Sequence, residues 1–253
     1  MCAIDQLLRS TLVIVAHPDD ESIGCGALLQ RMSGPAVFVC TDGAPALERV
    51  WRHKGYHTRE DYARRRASEF HAALGIAGVR DQYVMTGVPD QQLHRYLQQA
   101  ATCIEQCANK NRPEAILTHA YEGGHPDHDS CAFLAYQIGQ RLSVPVWEMP
   151  FYHQTSTTSP LIYQQFLQTS QNEVSLSASP AEMYRKECML RRHETQANVI
   201  SEFDKTRELM RPQPSYDFTV SPNPALHGFA VCSDIAIADV LESFHLAVQA
   251  ANR

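Results

Sequence analysis

The sequence predicts an α/β fold with a Rossmann-like, mostly parallel sheet flanked by helices. Two short runs, residues 11–15 and 37–40, are apolar and rich in β-branched side chains, which is typical of strands buried on both faces. A segment with a helical pattern separates them, and a strand, a helix and a strand within about thirty residues form a βαβ unit with a right-handed crossover. A similar apolar run at 115–118 indicates that the alternation continues.

The elements of the first half follow from this alternation. The first strand is expected to run from Thr11 to Val15 and to stop near His17, because Pro18 cannot continue the hydrogen-bond ladder. Apolar periodicity and end signals then predict a helix at about 23–32, a strand at 37–40, a loop over the site at 44–58, a helix at about 60–74 capped by Gly75, a strand at 82–85 and a helix at 90–109.

The second half of the chain is less regular. The expected elements are a strand at 115–118, a helix at 130–142, a weaker strand at 144–148, a hairpin with loops at 151–179, a helix at 180–210 and a last helix at 235–250. The chain has no internal repeat and no linker long enough to separate two domains. We therefore expect a single domain over residues 1–253.

Composition excludes several classes of protein. The 253 residues carry a net charge of −6, whereas a nucleic-acid-binding protein usually presents a basic face. No run approaches the roughly 18 apolar residues of a membrane span, and the start shows none of the features of a secretory signal. The 8 cysteines are scattered without a C-x-x-C pair, which argues against a thiolate zinc site and against a disulfide scaffold. These features favour a cytoplasmic protein with reduced thiols.

Two patches of polar residues each follow a predicted strand. The first, H-P-D-D-E at residues 17–21, places an imidazole and three consecutive carboxylates after a buried strand. Neighbouring carboxylates at such a place repel one another and need a cation or hydrogen-bond donors. The second patch, residues 121–129, supplies two more imidazoles after the strand at 115–118. Two histidines and one carboxylate, with one position open for water, suit a catalytic zinc ion, so the patches predict such a site at the carboxyl ends of the strands.

The order of these motifs resembles that of a known family. A-H-P-D-D-E at residues 16–21 and G-G-H-P-D-H at residues 123–128 are similar to the motifs of the PIG-L/LmbE-like family, whose members are zinc-dependent de-N-acetylases acting on N-acetylglucosamine conjugates. Weaker similarity extends to Arg66 and Glu69 in one predicted helix and to Lys186, His193 and Gln196 in a later one. The resemblance covers roughly residues 11–200.

The resemblance implies a role for each residue of the site. His17, Asp20 and His128 would be the zinc ligands. Asp19 would be the general base that takes a proton from zinc-bound water, and His125 would stabilise the oxyanion or protonate the departing amine. The other interpretation of Asp19 is a helix N-cap or an acceptor that holds an imidazole, and that of His125 is a structural hydrogen bond.

Three further residues are candidates for substrate binding. Arg66 and Asp90 resemble family positions that contact sugar hydroxyls, although an arginine-rich helix usually presents a solvated face. Tyr121 could donate a hydrogen bond to the oxyanion, and it could equally be an aromatic residue that faces the core.

The expected activity is hydrolysis of the N-acetyl group of an N-acetylglucosamine-containing small molecule or glycoconjugate, giving acetate and a free amine. Zinc is the expected cofactor, although a site of two histidines and a carboxylate also accepts iron or cobalt. The alternatives are a zinc amidase acting on another small amide, such as a thiol conjugate, and a non-catalytic sugar- or metal-binding protein on the same scaffold. The expected partner is a small sugar substrate, and the sequence is compatible with a homo-oligomer.

Overall fold

A mostly parallel sheet forms the centre of the molecule. The computed structural model describes residues 3–232 and 234–251. Its strands are β1 (Thr11–Val15), β2 (Ala36–Val39), β3 (Asp81–Val84), β4 (Ala115–His119), β5 (Val146–Met149), β6 (Tyr152–His153), β7 (Ile162–Tyr163), β8 (Val174–Ser175) and β9 (Leu209–Pro212). Seven of them form one sheet in the order β3-β2-β1-β4-β5-β9-β8, while β6 and β7 pair in a small antiparallel hairpin.

The sheet has the parallel core that the sequence predicts. β3, β2, β1, β4 and β5 run parallel, whereas β9 pairs antiparallel with both β5 and β8. Every residue of β1 is buried, as expected of a strand in the middle of a parallel sheet. Leu12 and Ile14 face one hydrophobic cluster and Val13 and Val15 face the other, so the sheet separates two cores.

Helices cover both faces of the sheet. They are α1 (Asp20–Cys25), α2 (Glu48–His53), α3 (Arg59–Ala77), α4 (Leu97–Asn111), α5 (Pro126–Leu142), α6 (Pro180–Leu190), α7 (Ala197–Ile200) and α8 (Ile237–Ala251). α4, α5 and α8 contribute to one hydrophobic cluster, whereas α1, α3 and α6 contribute to the other. No helix in the described ranges is both long enough and apolar enough to cross a membrane. The cysteines within those ranges are free, and Cys2 lies outside them.

Two helices have different boundaries from those that the sequence predicted. The helix expected at 23–32 starts earlier, inside the first motif, and ends at Cys25 before a short 3-10 turn. The helix expected to stop at Gly75 continues to Ala77, because Gly78 has a φ of 76° and supplies the left-handed cap. Gly75 therefore lies inside α3. In the sequence it resembled a helix cap because it is a glycine close to the end of the helix.

Three other expectations concern segments near the site. The helix expected at 90–109 begins only at Leu97, because Asp90 instead forms a parallel bridge with Pro45. The loop expected at 44–58 contains α2, whose Trp51 is buried. The hairpin expected within 151–179 is confirmed as the β6–β7 pair.

The prediction of a helix over residues 180–210 is wrong in its second half. α6 ends at Leu190, and the chain returns to the sheet as β9. Arg211 of β9 pairs with Glu148 of β5, both in the ladder and through an ion pair of 2.7 Å between Nε and Oε1. Such a short strand is specified by a partner distant in sequence, which local periodicity does not reveal.

Candidate functional site

The candidate site lies where the carboxyl ends of two neighbouring parallel strands meet. β1 and β4 pair with Val13 opposite Leu117, so the segments that follow them leave the sheet side by side. His17 lies two residues beyond the end of β1, and His119 is the last residue of β4. Pro126 then opens α5, where its fixed φ suits the first helical position. A cavity of about 420 Å³ opens at this edge of the sheet.

The carboxylate of Asp20 lies at the centre of the cluster. Its Oδ2 is 3.3 Å from His17 Nδ1, 3.3 Å from His119 Nε2 and 3.7 Å from His128 Nε2. Burial raises the pKa of Asp20, but His128, His119 and His17 outweigh it and hold the pKa well below its usual range. Asp20 is therefore an anionic carboxylate surrounded by imidazoles, and its oxygens are of the kind that bind metal ions.

Two carboxylates contact the ring nitrogen of His17 that points away from Asp20, and they orient the ring. Its Nε2 lies 3.1 Å from Asp127 Oδ2 and 3.1 Å from Asp90 Oδ1. Asp127 is itself fixed, because it accepts the backbone N–H groups of Gln91 at 2.6 Å and Leu93 at 2.9 Å. A proton on Nε2 satisfies these acceptors and leaves Nδ1 free toward the cluster. Although burial opposes the charged form, Asp90 and Asp20 raise the pKa of His17 well above its usual range.

His125 is held by the start of α5. It is the N-cap residue of that helix, and its Nδ1 accepts the backbone N–H of Asp127 at 3.2 Å. Burial and the neighbouring His17 lower the pKa of His125 to about 4. The neutral ring therefore carries its proton on Nε2, which lies 3.6 Å from Asp90 Oδ1 at the cavity. His125 thus serves both as a helix cap and as a donor aimed into the site.

Asp19 adopts an unusual backbone conformation beside the cluster. Its φ of 154° and ψ of −26° lie outside the regions favoured by residues other than glycine. Such strain persists where the surroundings hold a residue firmly, and it is common at functional sites. Burial raises the pKa of Asp19 to about 7, against the opposing effect of the Arg66 guanidinium, whose Nη2 lies 3.1 Å from Asp19 Oδ2.

Arg66 reaches the site from α3 and is buried, unlike its exposed neighbour Arg64. Besides its contact with Asp19, it donates to the carbonyl oxygens of Gly43 and Pro18. Gly43 has a φ of 69°, and a Cβ there would overlap the guanidinium, so this close approach depends on glycine. The alternative of a solvated face does not describe Arg66.

The structure brings most of the predicted site residues to one cavity. The predicted residues that line it are His17, Asp19, Asp20, Arg66, Asp90, His125 and His128. Tyr121 is not among them. Its hydroxyl donates to the carbonyl oxygen of Val220 at 2.8 Å, and its ring packs on Phe218 with centroids 4.8 Å apart. Its position matches the core-facing interpretation.

Sequence reasoning missed two members of the cluster. His119 stacks on His128 with ring centroids 3.9 Å apart, and Asp127 orients His17. The rule that ligands gather at strand ends would have found His119, because it ends the apolar run of β4. The contact of Asp127 with His17 depends on the direction of a side chain and leaves no signal in the sequence.

Lys186 of α6 and His193, which follows α6, contact the segment that carries the first motif. Lys186 is buried and pairs with Glu208 at 2.8 Å, and it also donates to the carbonyl oxygen of Ile23 in α1. His193 Nε2 lies 3.1 Å from Ser22 Oγ and 3.5 Å from Glu21 Oε1. These contacts fix the position of α1, which carries Asp20.

The donor atoms of the cluster are close enough to share a metal ion. Two overlapping buried groups, His17–His125–His128 and Asp20–His119–His128, have ligand atoms within 4.8 Å of one another. His119 Nε2 already accepts the backbone N–H of Ala16 at 3.1 Å. His128 Nε2, by contrast, is buried without a hydrogen-bond partner among the described residues. His17, His128 and Asp20 are residues whose side chains could hold a cation, although Oδ2 of Asp20 also accepts the backbone N–H of His17 at 2.7 Å.

Known proteins with similar sequences are deacetylases by name. A 1D-myo-inositol 2-acetamido-2-deoxy-alpha-D-glucopyranoside deacetylase from Catenulispora acidiphila is 30% identical over 156 residues, which cover 52% of this chain and 51% of that protein. A probable N-acetyl-alpha-D-glucosaminyl L-malate deacetylase from Bacillus cereus is 28% identical over 155 residues, covering 59% of this chain and 69% of that protein. The chain spans about half the length of the inositol-glycoside deacetylases it matches.

Solved structures share the fold. A deacetylase of the teicoplanin biosynthesis pathway, crystallised with teicoplanin, superposes with a TM-score of 0.64 at 18% identity, covering 83% of this chain and 100% of that one. The model of the PIG-L family, described as GlcNAc-PI de-N-acetylase, matches residues 12–138, which is half of the chain and includes both His-containing motifs. The chain therefore belongs to the PIG-L family.

Proposed function

We propose that this chain is a metal-dependent de-N-acetylase that hydrolyses the acetamide of an N-acetylglucosamine-containing small molecule or glycoconjugate. The observation that carries the proposal is the buried cluster at the ends of β1 and β4, in which Asp20 faces three imidazoles and Asp19 lies beside them. The names of the matched relatives, which specify acetamido-sugar substrates, support a sugar as the substrate.

Zinc is the proposed cofactor, with His17, Asp20 and His128 as its ligands. Imidazole nitrogen and carboxylate oxygen are donors that zinc prefers, and the unpartnered Nε2 of buried His128 fits an atom kept for a metal ion. Burial and His119 lower the pKa of His128, which keeps that ring neutral as a ligand must be. When bound, zinc would lower the pKa of a water molecule to about 7 and polarise the acetamide carbonyl.

Asp19 is the proposed general base. Its carboxylate lines the cavity, and Arg66 holds one of its oxygens at 3.1 Å. A carboxylate fixed in this way can take a proton from the attacking water and return it to the departing amine. We propose that Arg66 acts mainly by positioning Asp19, since its hydrogen bonds are directed to Asp19 and to two backbone carbonyl groups.

His125 and Asp90 complete the proposed site. His125 would donate its Nε2 proton to the oxyanion that forms on the former carbonyl oxygen, because its Nδ1 is occupied by the helix cap. Asp90, whose pKa falls to about 2 because His17 and His125 outweigh the effect of burial, stays a carboxylate and can accept a hydrogen bond from a sugar hydroxyl. Tyr121 has no role in this scheme.

The test combines metal analysis with acetate release. Purified protein loaded with zinc is assayed on a panel of N-acetylglucosaminides, beside Asp19→Asn and the matched control Asp81→Asn, which alters an exposed ion pair with Lys110. We expect Asp19→Asn to keep its zinc and to lose about 10²–10⁴-fold in turnover, because general-base catalysis contributes about that factor. The control should retain the activity of the parent.

Other outcomes distinguish the alternatives. Zinc near one equivalent with no acetate released from any glucosaminide would overturn the proposal. Release of another acid from a different small amide would then favour a general amidase, and sugar affinity that Asp19→Asn leaves intact, without turnover, would favour a binding protein.

We further propose that the chain folds as one domain and acts in the cytoplasm. The continuous sheet, to which strands from residue 11 to residue 212 contribute, supports the first point. The free state of the described cysteines supports the second.

A further inference from the structure

The cavity of the candidate site has two unlike halves. One half is polar and contains the histidines and carboxylates described above. The other contains an apolar wall formed by Tyr152, Tyr163, Phe203 and Val199, with Gln196, Asn198 and Glu202 as the polar residues beside it in the lining. The proposed chemistry uses only the polar half, so the apolar wall needs its own explanation.

The aromatic rings of the wall extend away from His128 of the metal cluster. The ring of Tyr152 lies 5.3 Å from that of His128 and 6.0 Å from that of Tyr163, which in turn lies 5.2 Å from Phe203. Val199 also lines the cavity and is 47% exposed. An acetyl group is too short to cover this distance, so the wall is suited to another part of the substrate.

Charge at the cavity disfavours an anionic group. Among the described residues that line it, Arg66 is the one arginine or lysine, and it is paired with Asp19. Glu202 adds a carboxylate at the apolar side. The neighbouring cation Arg65 is occupied as well, because it pairs with Glu69 at 2.9 Å and Glu194 at 2.7 Å. A carboxylate or phosphate on the substrate would therefore meet no unpaired arginine or lysine among the described residues of the lining.

We infer that the substrate is an N-acetylglucosaminide whose aglycone is uncharged and apolar, such as an aryl or alkyl group, and that this aglycone packs on the wall of Tyr152, Tyr163, Phe203 and Val199. The inference rests on the proposed function and specifies its substrate class. Aromatic side chains pack well on aromatic or aliphatic groups and exclude water from them, which adds affinity without new polar contacts.

The test uses three glycosides of N-acetylglucosamine with the same anomeric configuration: methyl, phenyl and 4-carboxyphenyl. Acetate release is measured with zinc-loaded protein, and binding is measured by calorimetry with metal-free protein. We expect kcat/KM and affinity to be at least about tenfold higher for the phenyl than for the methyl glycoside, in line with the effect of small apolar groups in apolar pockets. The carboxyphenyl glycoside should lose that advantage.

Variants at the exposed residue of the wall sharpen the test. Val199→Ser should reduce the ratio of phenyl to methyl kcat/KM several-fold, and Val199→Lys should favour the carboxyphenyl glycoside. Val220→Ser is the matched control, because Val220 is 54% exposed and does not line this cavity. The control should leave the ratio unchanged.

The outcomes separate this inference from the proposed function. Acetate release with equal kcat/KM for all three glycosides, or a preference for the carboxyphenyl glycoside, would overturn the inference and leave the de-N-acetylase intact. Faster release of a long acyl chain than of acetyl, without a preference among aglycones, would also overturn it. Preferential binding of the phenyl glycoside without release from any glycoside would uphold the apolar subsite and overturn the proposed activity.

Discussion

At the residue scale, contacts to one ring nitrogen of His17 and of His125 decide which of the two nitrogens in each ring faces the cavity. Asp127 takes part twice, because its carboxylate contacts Nε2 of His17 and its backbone N–H donates to Nδ1 of His125. The two rings therefore present opposite nitrogens to the site. Burial lowers the pKa of His125 and keeps the ring neutral and suited to donate, while Asp90 and Asp127, each 3.1 Å from Nε2 of His17, can accept a proton held on that nitrogen.

The double role of His125 predicts different results for two substitutions. His125→Asn keeps a side chain that can cap α5, whereas His125→Ala removes both the cap and the donor. We expect the alanine variant to lose about 1 kcal/mol of unfolding free energy relative to the asparagine variant. Both variants should lose about 10²–10³-fold in kcat with metal content unchanged, because an oxyanion donor contributes about that much. Equal stability of the two variants in urea denaturation would contradict the capping role.

Asp127 is not a proposed metal ligand, but its contact with His17 predicts that it affects metal affinity. Asp127→Asn should weaken zinc binding about 10–100-fold, because outer partners fix the orientation of a ligating imidazole. The measurement is competition with a chromophoric chelator, with Asp217→Asn as the control, since Asp217 contacts Thr219 on the surface. Unchanged affinity in Asp127→Asn would show that His17 needs no such support.

At the scale of elements, the sequence predicted which residues gather at the cavity better than it predicted the boundaries of the helices and strands. The parallel core and its strand-end cluster could be predicted because β1 and β4 are apolar runs that end abruptly in polar motifs. β9 was missed because its pairing with β5 is a contact distant in sequence. The sequence left the role of Tyr121 open for a related reason. It places Tyr121 after β4, but the direction of the side chain is set by packing against Phe218.

Two glycines in different surroundings, Gly124 in the loop between β4 and α5 and Gly75 in α3, predict opposite effects of an alanine substitution. A Cβ at Gly124 would overlap the backbone carbonyl oxygen of Tyr152, so Gly124→Ala must displace the loop that carries His125. Gly75 lies exposed inside α3 with open space around it. We expect Gly124→Ala to lower both the melting temperature and turnover, and Gly75→Ala to stabilise the protein by about 0.5–1 kcal/mol. Calorimetry on both variants checks the sign of each effect.

At the scale of the whole molecule, the cluster connects segments that are far apart in the sequence. His17 and Asp20 follow β1, whereas His128 lies in α5, more than 100 residues later. The site also concentrates buried carboxylates in a chain whose net charge is already −6. A divalent cation would offset their mutual repulsion and hold the two segments together, so metal binding should be coupled to folding.

This coupling predicts that zinc raises the thermal stability of the protein. At a free zinc concentration about 100 times the Kd, binding to the native state alone adds about 2.7 kcal/mol, which corresponds to a rise of about 5–10 °C in melting temperature for a chain of this size. Asp20→Asn removes the anionic ligand and should abolish most of the rise, whereas Asp81→Asn should preserve it. The measurement is scanning calorimetry with zinc buffered by a chelator, followed by excess chelator to reverse the effect. A rise of equal size in Asp20→Asn would mean that the stabilising zinc binds elsewhere.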